Sequence, residues 1–169
     1  PTSDMEFEVQ DVVGFSYSGN YDGASLEQYQ RLVPVYEAAD TCSGVDAAAK
    51  KLSRLVKHIS DSEPDTVFDF VGHSMGGMVV AYWVYHQETA YLQRNVGSVV
   101  TIDSPLYDGH PLSILQSLVS GCQSNVDIAP GSSILSAIND YSRTTDRVTF
   151  YHINSSAIGD AFPNGVRLP

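Results

Sequence analysis

The sequence predicts one α/β domain, a three-layer sandwich in which helices cover both faces of a mainly parallel sheet. Short β-branched or aromatic runs bounded by turn residues alternate along it with stretches of helical period. Such alternation is what right-handed crossovers between parallel strands require. At 169 residues the chain fits a single domain, and no repeat, low-complexity tract or linker divides it.

The elements follow in order. Asp11 to Gly19, "DVVGFSYSG", mixes valine and aromatic residues and closes on a Gly-Asn turn signal, so it reads as a strand. A long loop carrying Pro34 comes next. From Asp46 the period changes: Ala48, Leu52, Leu55, Val56 and Ile59 fall on one helical face, with Ser43 or Asp46 as cap and Pro64 as the stop. "TVFDFVG" is a candidate buried strand. "SMGGMVVAYWVYHQETAYLQ" has the length and apolar richness of one mostly buried helix. Val96 to Asp103 is the next strand. "PLSILQSLVSG" and "SSILSAINDYS" are possible helices around the loop "CQSNVDIAPG", and Arg147 to Asn154 is the last strand.

Composition narrows the function classes. With 43% hydrophobic and 17% charged residues the chain is globular. Its longest apolar run, Met78 to Tyr85, is far short of the roughly 20 residues of a membrane span, so no transmembrane segment is expected. Twenty acidic against nine basic residues give a net charge of -11, which repels nucleic acid and anionic surfaces; the expected partner is neutral or small. Lys50, Lys51, Arg54 and Lys57 lie opposite an apolar stripe and solvate a helix face. Cys42 and Cys122 have no cysteine or histidine at ligand spacing, so no metal site is expected; either a bridge or two free thiols fits them. No nucleotide-binding glycine motif is present, and no cofactor is implied.

The chemistry concentrates in "GHSMG", Gly72 to Gly76, between a strand and a helix. A serine with glycine two residues to either side is the pattern of a strained strand-to-helix elbow that presents a nucleophile. Side chains at the flanking positions are expected to collide, and the glycines remove the collision. The turn opens a helix, so the Met75 N–H can stabilise developing negative charge on an oxyanion. Gly77 thins the helix where it packs on the sheet.

"VGHSMGG" with its following helix resembles the core of an α/β-hydrolase of the lipase and esterase type, and "TIDSPLYDG" resembles the strand and Pro-containing loop that follow in such enzymes. The resemblance runs from Val12 to about Asp160, and its most specific part is the elbow. It implies a nucleophile, an acid and a histidine in that chain order. Ser74 matches the nucleophile, and Asp160, in the loop past the last strand, matches the acid; Asp103 is the runner-up acid, with a turn or cap role preferred for it. No histidine follows Asp160. Of the five earlier ones, His73 sits beside the nucleophile, His58 and His86 near helix ends, His152 inside the last strand, and only His110 is placed in a loop free to approach Ser74. The family's second oxyanion loop, commonly marked by a His-Gly pair, finds no counterpart. The chain is thus expected to hold the middle of the fold and to lack its first strands and the last strand with the catalytic histidine.

These readings imply a serine hydrolase acting on carboxylic esters, lipids included, with residues 105–146 as a lid, an acyl-binding wall or an ordinary covering segment. The alternative is an incomplete hydrolase-fold module that binds an apolar ligand or a complementing chain.

Overall fold

A computed structural model describes residues 11–19, 37–106, 121–140 and 148–153. Its centre is a three-stranded parallel sheet in the order β1 (Phe68–His73), β2 (Val96–Ile102), β3 (Thr149–Ile153). Register is continuous from Asp69 opposite Ser98 to His73 opposite Ile102, and from Ser98 opposite Thr149 to Ile102 opposite Ile153. All three strands therefore end at one edge of the sheet. Parallel pairing demands crossovers, and the connection from β1 to β2 supplies two helices.

Helices α1 (Ala38–Cys42) and α2 (Val45–Ser62) precede β1. Between β1 and β2 lie α3 (Met75–Tyr85) and α4 (Thr89–Asn95), and between β2 and β3 lie α5 (Gln123–Asp127) and α6 (Ser133–Asn139). The apolar stripe expected on α2 is the one it buries: Ala48, Leu52, Leu55, Val56 and Ile59 are all in the core. Helix α3 is buried nearly all round, as its uninterrupted run of Met78, Val79, Val80, Ala81, Trp83 and Val84 dictates. It packs between α2 and the sheet face that carries Phe70, Val99 and Phe150, with α6 against its other flank. On the opposite face Val71, Tyr151 and Ile153 are exposed, Val71 to 71%.

Three expectations are corrected. The stretch Asp11 to Gly19 is not a strand: Val13 and Phe15, like Phe68, pack against Leu55 and Ile59, but among the described residues no strand pairs with this backbone, and without a ladder an extended segment is not a sheet member. The single long helix from Ser74 to Gln93 is two. Helix α3 ends at Tyr85, the chain turns through His86 to an extended Glu88, and α4 begins at Thr89; the crossover must come back to start β2 at Val96. The start of α2 is capped by neither Ser43 nor Asp46. The residue before the helix is Gly44 at φ +92, and the first free amide, that of Val45, donates to the Asp127 carboxylate at 2.7 Å.

That carboxylate is a distant anchor. Asp127 is buried, and its second oxygen accepts from Gln123 Nε2 at 2.8 Å. A Cβ at position 44 would run into the Asp127 side chain, so glycine is required there by both the left-handed backbone and the contact. Cys42 and Cys122, left open by the sequence, are bridged, with their Cα atoms 4.7 Å apart. The disulfide and the Asp127 cap tie the same two places together, the start of α2 and the α5 region.

Lys50, Arg54 and Lys57 on α2 form a solvated face, whereas Lys51 departs from that expectation: it is half-buried and its Nζ donates to the Tyr17 carbonyl. Lys50 pairs with Asp46 and Lys57 with Asp61, each one helical turn apart and exposed. The Asp46 carboxylate raises the Lys50 ammonium above its ordinary range, through their hydrogen bond first. Among the described residues no helix is long and apolar enough to cross a membrane, and no cluster could hold a metal ion.

Candidate active site

The turn from β1 into α3 has the geometry that the spacing of its glycines requires. Ser74 stands between them at φ 51, ψ -122, a conformation that costs an L-residue roughly 1–3 kcal/mol and persists only where the surroundings enforce it. Those surroundings are explicit. The Ser74 N–H donates to the Ile102 carbonyl at 2.8 Å, fixing the turn to the end of β2, while its own carbonyl accepts from the Gly77 N–H at 3.1 Å. Ser74 is exposed, and its side chain makes no capping bond to the helix it precedes.

The glycines do not all serve the same purpose. A Cβ on Gly72 would lie 2.6 Å from the Gly77 amide nitrogen and 2.7 Å from the Gly76 carbonyl carbon, backbone atoms that cannot yield. One on Gly77 would lie 2.8 Å from Ser104 Cβ and 3.0 Å from Thr101 Cβ, so this glycine lets α3 settle on β2. Gly76 departs from the expected collision: the one atom near its missing Cβ, among the described residues, is the Tyr17 hydroxyl oxygen at 3.6 Å, an ordinary contact. Position 76 is small without being crowded.

A second strained residue stands one strand away. Asp103, directly after β2, has φ 48, and with Ser74 it is the only non-glycine residue at positive φ among those described. Its N–H donates to the Ile153 carbonyl at 2.8 Å, just as the Ser74 N–H reaches Ile102, so the three strand ends are laced side by side. Aspartate is among the residues that tolerate this backbone, which agrees with the turn role preferred for it. The edge where parallel strands end is also where α/β sheets place their ligands.

The histidines fall as follows. His73 is the last residue of β1, and its side chain is exposed. His58 lies half-buried in the last turns of α2, and exposed His86 caps the end of α3 between the rings of Tyr82 and Tyr85. His152 is a structural imidazole in β3, half-buried, with Nδ1 2.7 Å from the hydroxyl of the fully buried Thr101 on β2. His110 and Asp160 lie outside the described residues. So do residues 107–120 and 141–146 of the segment considered as a lid; the described part between them folds as α5 and α6, and Ile134, Leu135 and Ile138 of α6 are buried in the core.

Residues 39–150, about two thirds of the chain, match the PGAP1-like alpha/beta domain. The chain belongs to that family. PGAP1-like domains are of the α/β-hydrolase type, which accords with the parallel sheet and the strand-turn-helix at Ser74. Among solved structures, the PGAP1-like domain described above resembles phospholipase PlaB from Legionella pneumophila, with 19% identity and a TM-score of 0.52 over 66% of this chain. A second structure of that phospholipase, in complex with thio-NAD, matches at 23% identity and a TM-score of 0.56 over 71% of this chain. In both cases the match covers 28% of the phospholipase, so this chain corresponds to little more than a quarter of that protein. At such identity the likeness is one of fold. No curated protein matches the sequence.

Proposed function

We propose that this chain carries the nucleophile of a serine hydrolase acting on carboxylic esters with an apolar acyl group. The observation that carries the reading is Ser74 itself: an exposed serine held at positive φ between β1 and α3, at the C-terminal edge of a parallel sheet. In this mechanism Ser74 Oγ attacks the ester carbonyl and gives its proton to a histidine. The Met75 N–H, first of the helix, holds the oxyanion as the carbonyl π bond opens. Collapse expels the alcohol, which takes the proton from the imidazole, and water then releases the acyl group by the same route. Asp160 orients that histidine, which another part of the protein supplies. The printed name of the fold neighbour, a phospholipase, supports a lipid ester as substrate.

Hydrolysis of p-nitrophenyl esters of graded chain length tests this reading. Turnover that rises with acyl length and disappears in Ser74→Ala is expected; turnover unchanged in that variant would refute it.

A second reading concerns the partner of this chain. Val71, Tyr151 and Ile153 form an exposed apolar face on a parallel sheet, a kind of sheet ordinarily covered on both sides. A complementing segment or chain bearing the histidine would cover it. Light scattering tests this: association or poor solubility of the isolated chain is expected, and a monodisperse monomer would count against it.

A further inference from the structure

We propose that Ser104 is a positioning residue for the nucleophile: its buried hydroxyl braces the carbonyl that holds the Ser74 backbone in its strained turn. The inference deepens the hydrolase reading and rests on Ser74 being the nucleophile.

Three bonds converge on one peptide unit, the one joining Ile102 to Asp103. Its carbonyl accepts the Ser74 N–H at 2.8 Å, and its N–H donates to the Ile153 carbonyl at 2.8 Å. Ser104 supplies the third, its Oγ donating to the same Ile102 carbonyl at 3.2 Å. The peptide thus joins the ends of β1 and β3, and the hydroxyl two residues further on braces the oxygen that reaches the nucleophile. Ser104 is 1% exposed, so this bond forms where water does not compete for it. The same side chain also meets the other end of the turn. Of the atoms around the place of a Cβ on Gly77, Ser104 Oγ is the nearest, with Ser104 Cβ at 2.8 Å. Ser104 therefore touches α3 at Gly77 and reaches the Ser74 N–H through one carbonyl. Met75, whose N–H holds the oxyanion in the proposed mechanism, lies between those two points.

The backbone after β2 is shaped to deliver this hydroxyl. Asp103, at φ 48, turns the chain so that a side chain at 104 comes back to the carbonyl at 102. Pro105 keeps Ser104 out of the helical region, and the Ser104 carbonyl accepts the Leu106 N–H at 2.8 Å. Ser104, Pro105 and Leu106 are all buried. A non-glycine residue held at positive φ costs stability, and such residues collect at functional sites. The second strained residue of the fold thus acquires a use: it aims a hydroxyl at the support of the first. Without that hydroxyl the Ile102 carbonyl keeps the Ser74 N–H but loses its brace, and Ser74 Oγ and the Met75 N–H are held less firmly against the ester.

The test uses Ser104→Ala in the complete protein, with active sites counted by titration with a fluorescent alkyl phosphonate. Misplacing reacting groups by about 1 Å costs on the order of 100-fold in rate, and losing one brace is a smaller disturbance. The expected result is a fall in kcat per titrated site of about tenfold or more, with KM changed less than about twofold. The phosphonate endpoint stays that of the wild type while its rate slows. A kcat per site within about threefold of wild type overturns the inference. So does a raised KM at unchanged kcat, which marks ground-state binding. An endpoint that falls with the rate, or a variant that Trp83 fluorescence shows to be unfolded, marks a folding role and overturns it too. Failure of the wild type to react with the phosphonate at all is a separate result; it removes the nucleophile reading, and this inference with it.

Discussion

Removing the Cys42–Cys122 bridge by a double Cys42→Ser, Cys122→Ser substitution perturbs the largest closed loop in the fold. The two cysteines are 80 residues apart in sequence, and α2, β1, α3, α4 and β2 all lie between them. Cross-linking a loop of that length removes denatured-state entropy equivalent to about 4.5 kcal/mol at 25 °C. The Asp127 cap on Val45 holds the same junction in the native state, so the folded protein should keep its geometry without the bridge and the loss should come from the unfolded chain. With a urea m-value of about 2 kcal/mol/M, the midpoint should fall by about 2 M. Trp83 is the sole tryptophan and is buried against Phe70 and Tyr91, so its fluorescence reports the transition directly. Two titratable thiols in the unreduced native protein, or midpoints that agree within about 0.3 M, would refute the reasoning.

Three further outcomes follow from the same geometry. Ser74→Gly should abolish ester turnover yet raise stability by about 1 kcal/mol, because glycine adopts φ 51 without strain; a lower melting temperature would contradict the strained turn. Gly72→Ala, which drives a methyl into backbone, should cost about 3 kcal/mol or more, whereas Gly76→Ala should change stability by less than about 1 kcal/mol; equal losses in urea melts would contradict the distinction. Burial, and after it the Asp46 carboxylate, raises the Tyr82 phenol above its ordinary value of 10.0. The neutral phenol is therefore favoured by the fold, its contribution is present in full below pH 10 and is lost as pH rises through the raised value, and tyrosinate absorbance should show one group titrating late.

What the sequence disclosed and what it withheld divide along a physical line. The stripe on α2, the apolar α3 and the turn at Ser74 were legible because each is encoded within a few neighbouring residues: a helical period, an unbroken hydrophobic run, glycines at fixed offsets. The strand expected at Asp11 to Gly19 was not legible, since strand identity needs a partner and Val13 and Phe15 would be apolar beside a helix or within a sheet alike. The capping of α2 was hidden for the same reason: its acceptor, Asp127, is 82 residues from Val45 and nothing local announces it. The disulfide needed Cα positions that spacing does not provide. At the site, Gly76 looked identical to Gly72 on paper, and only the atoms around the place of a missing Cβ separate them: backbone at 2.6 Å for Gly72, and among the described residues nothing nearer than the Tyr17 hydroxyl at 3.6 Å for Gly76.

The central claim is that the strained turn presents a nucleophile, and covalent labelling tests it most directly. The complete protein is treated with an alkyl phosphonate ester and digested, and the modified peptide is mapped by mass spectrometry. The account predicts a single adduct on Ser74, absent in Ser74→Ala and blocked by prior incubation with a long-chain ester substrate. A wild-type protein that stays unlabelled, or is labelled equally in Ser74→Ala, would contradict it.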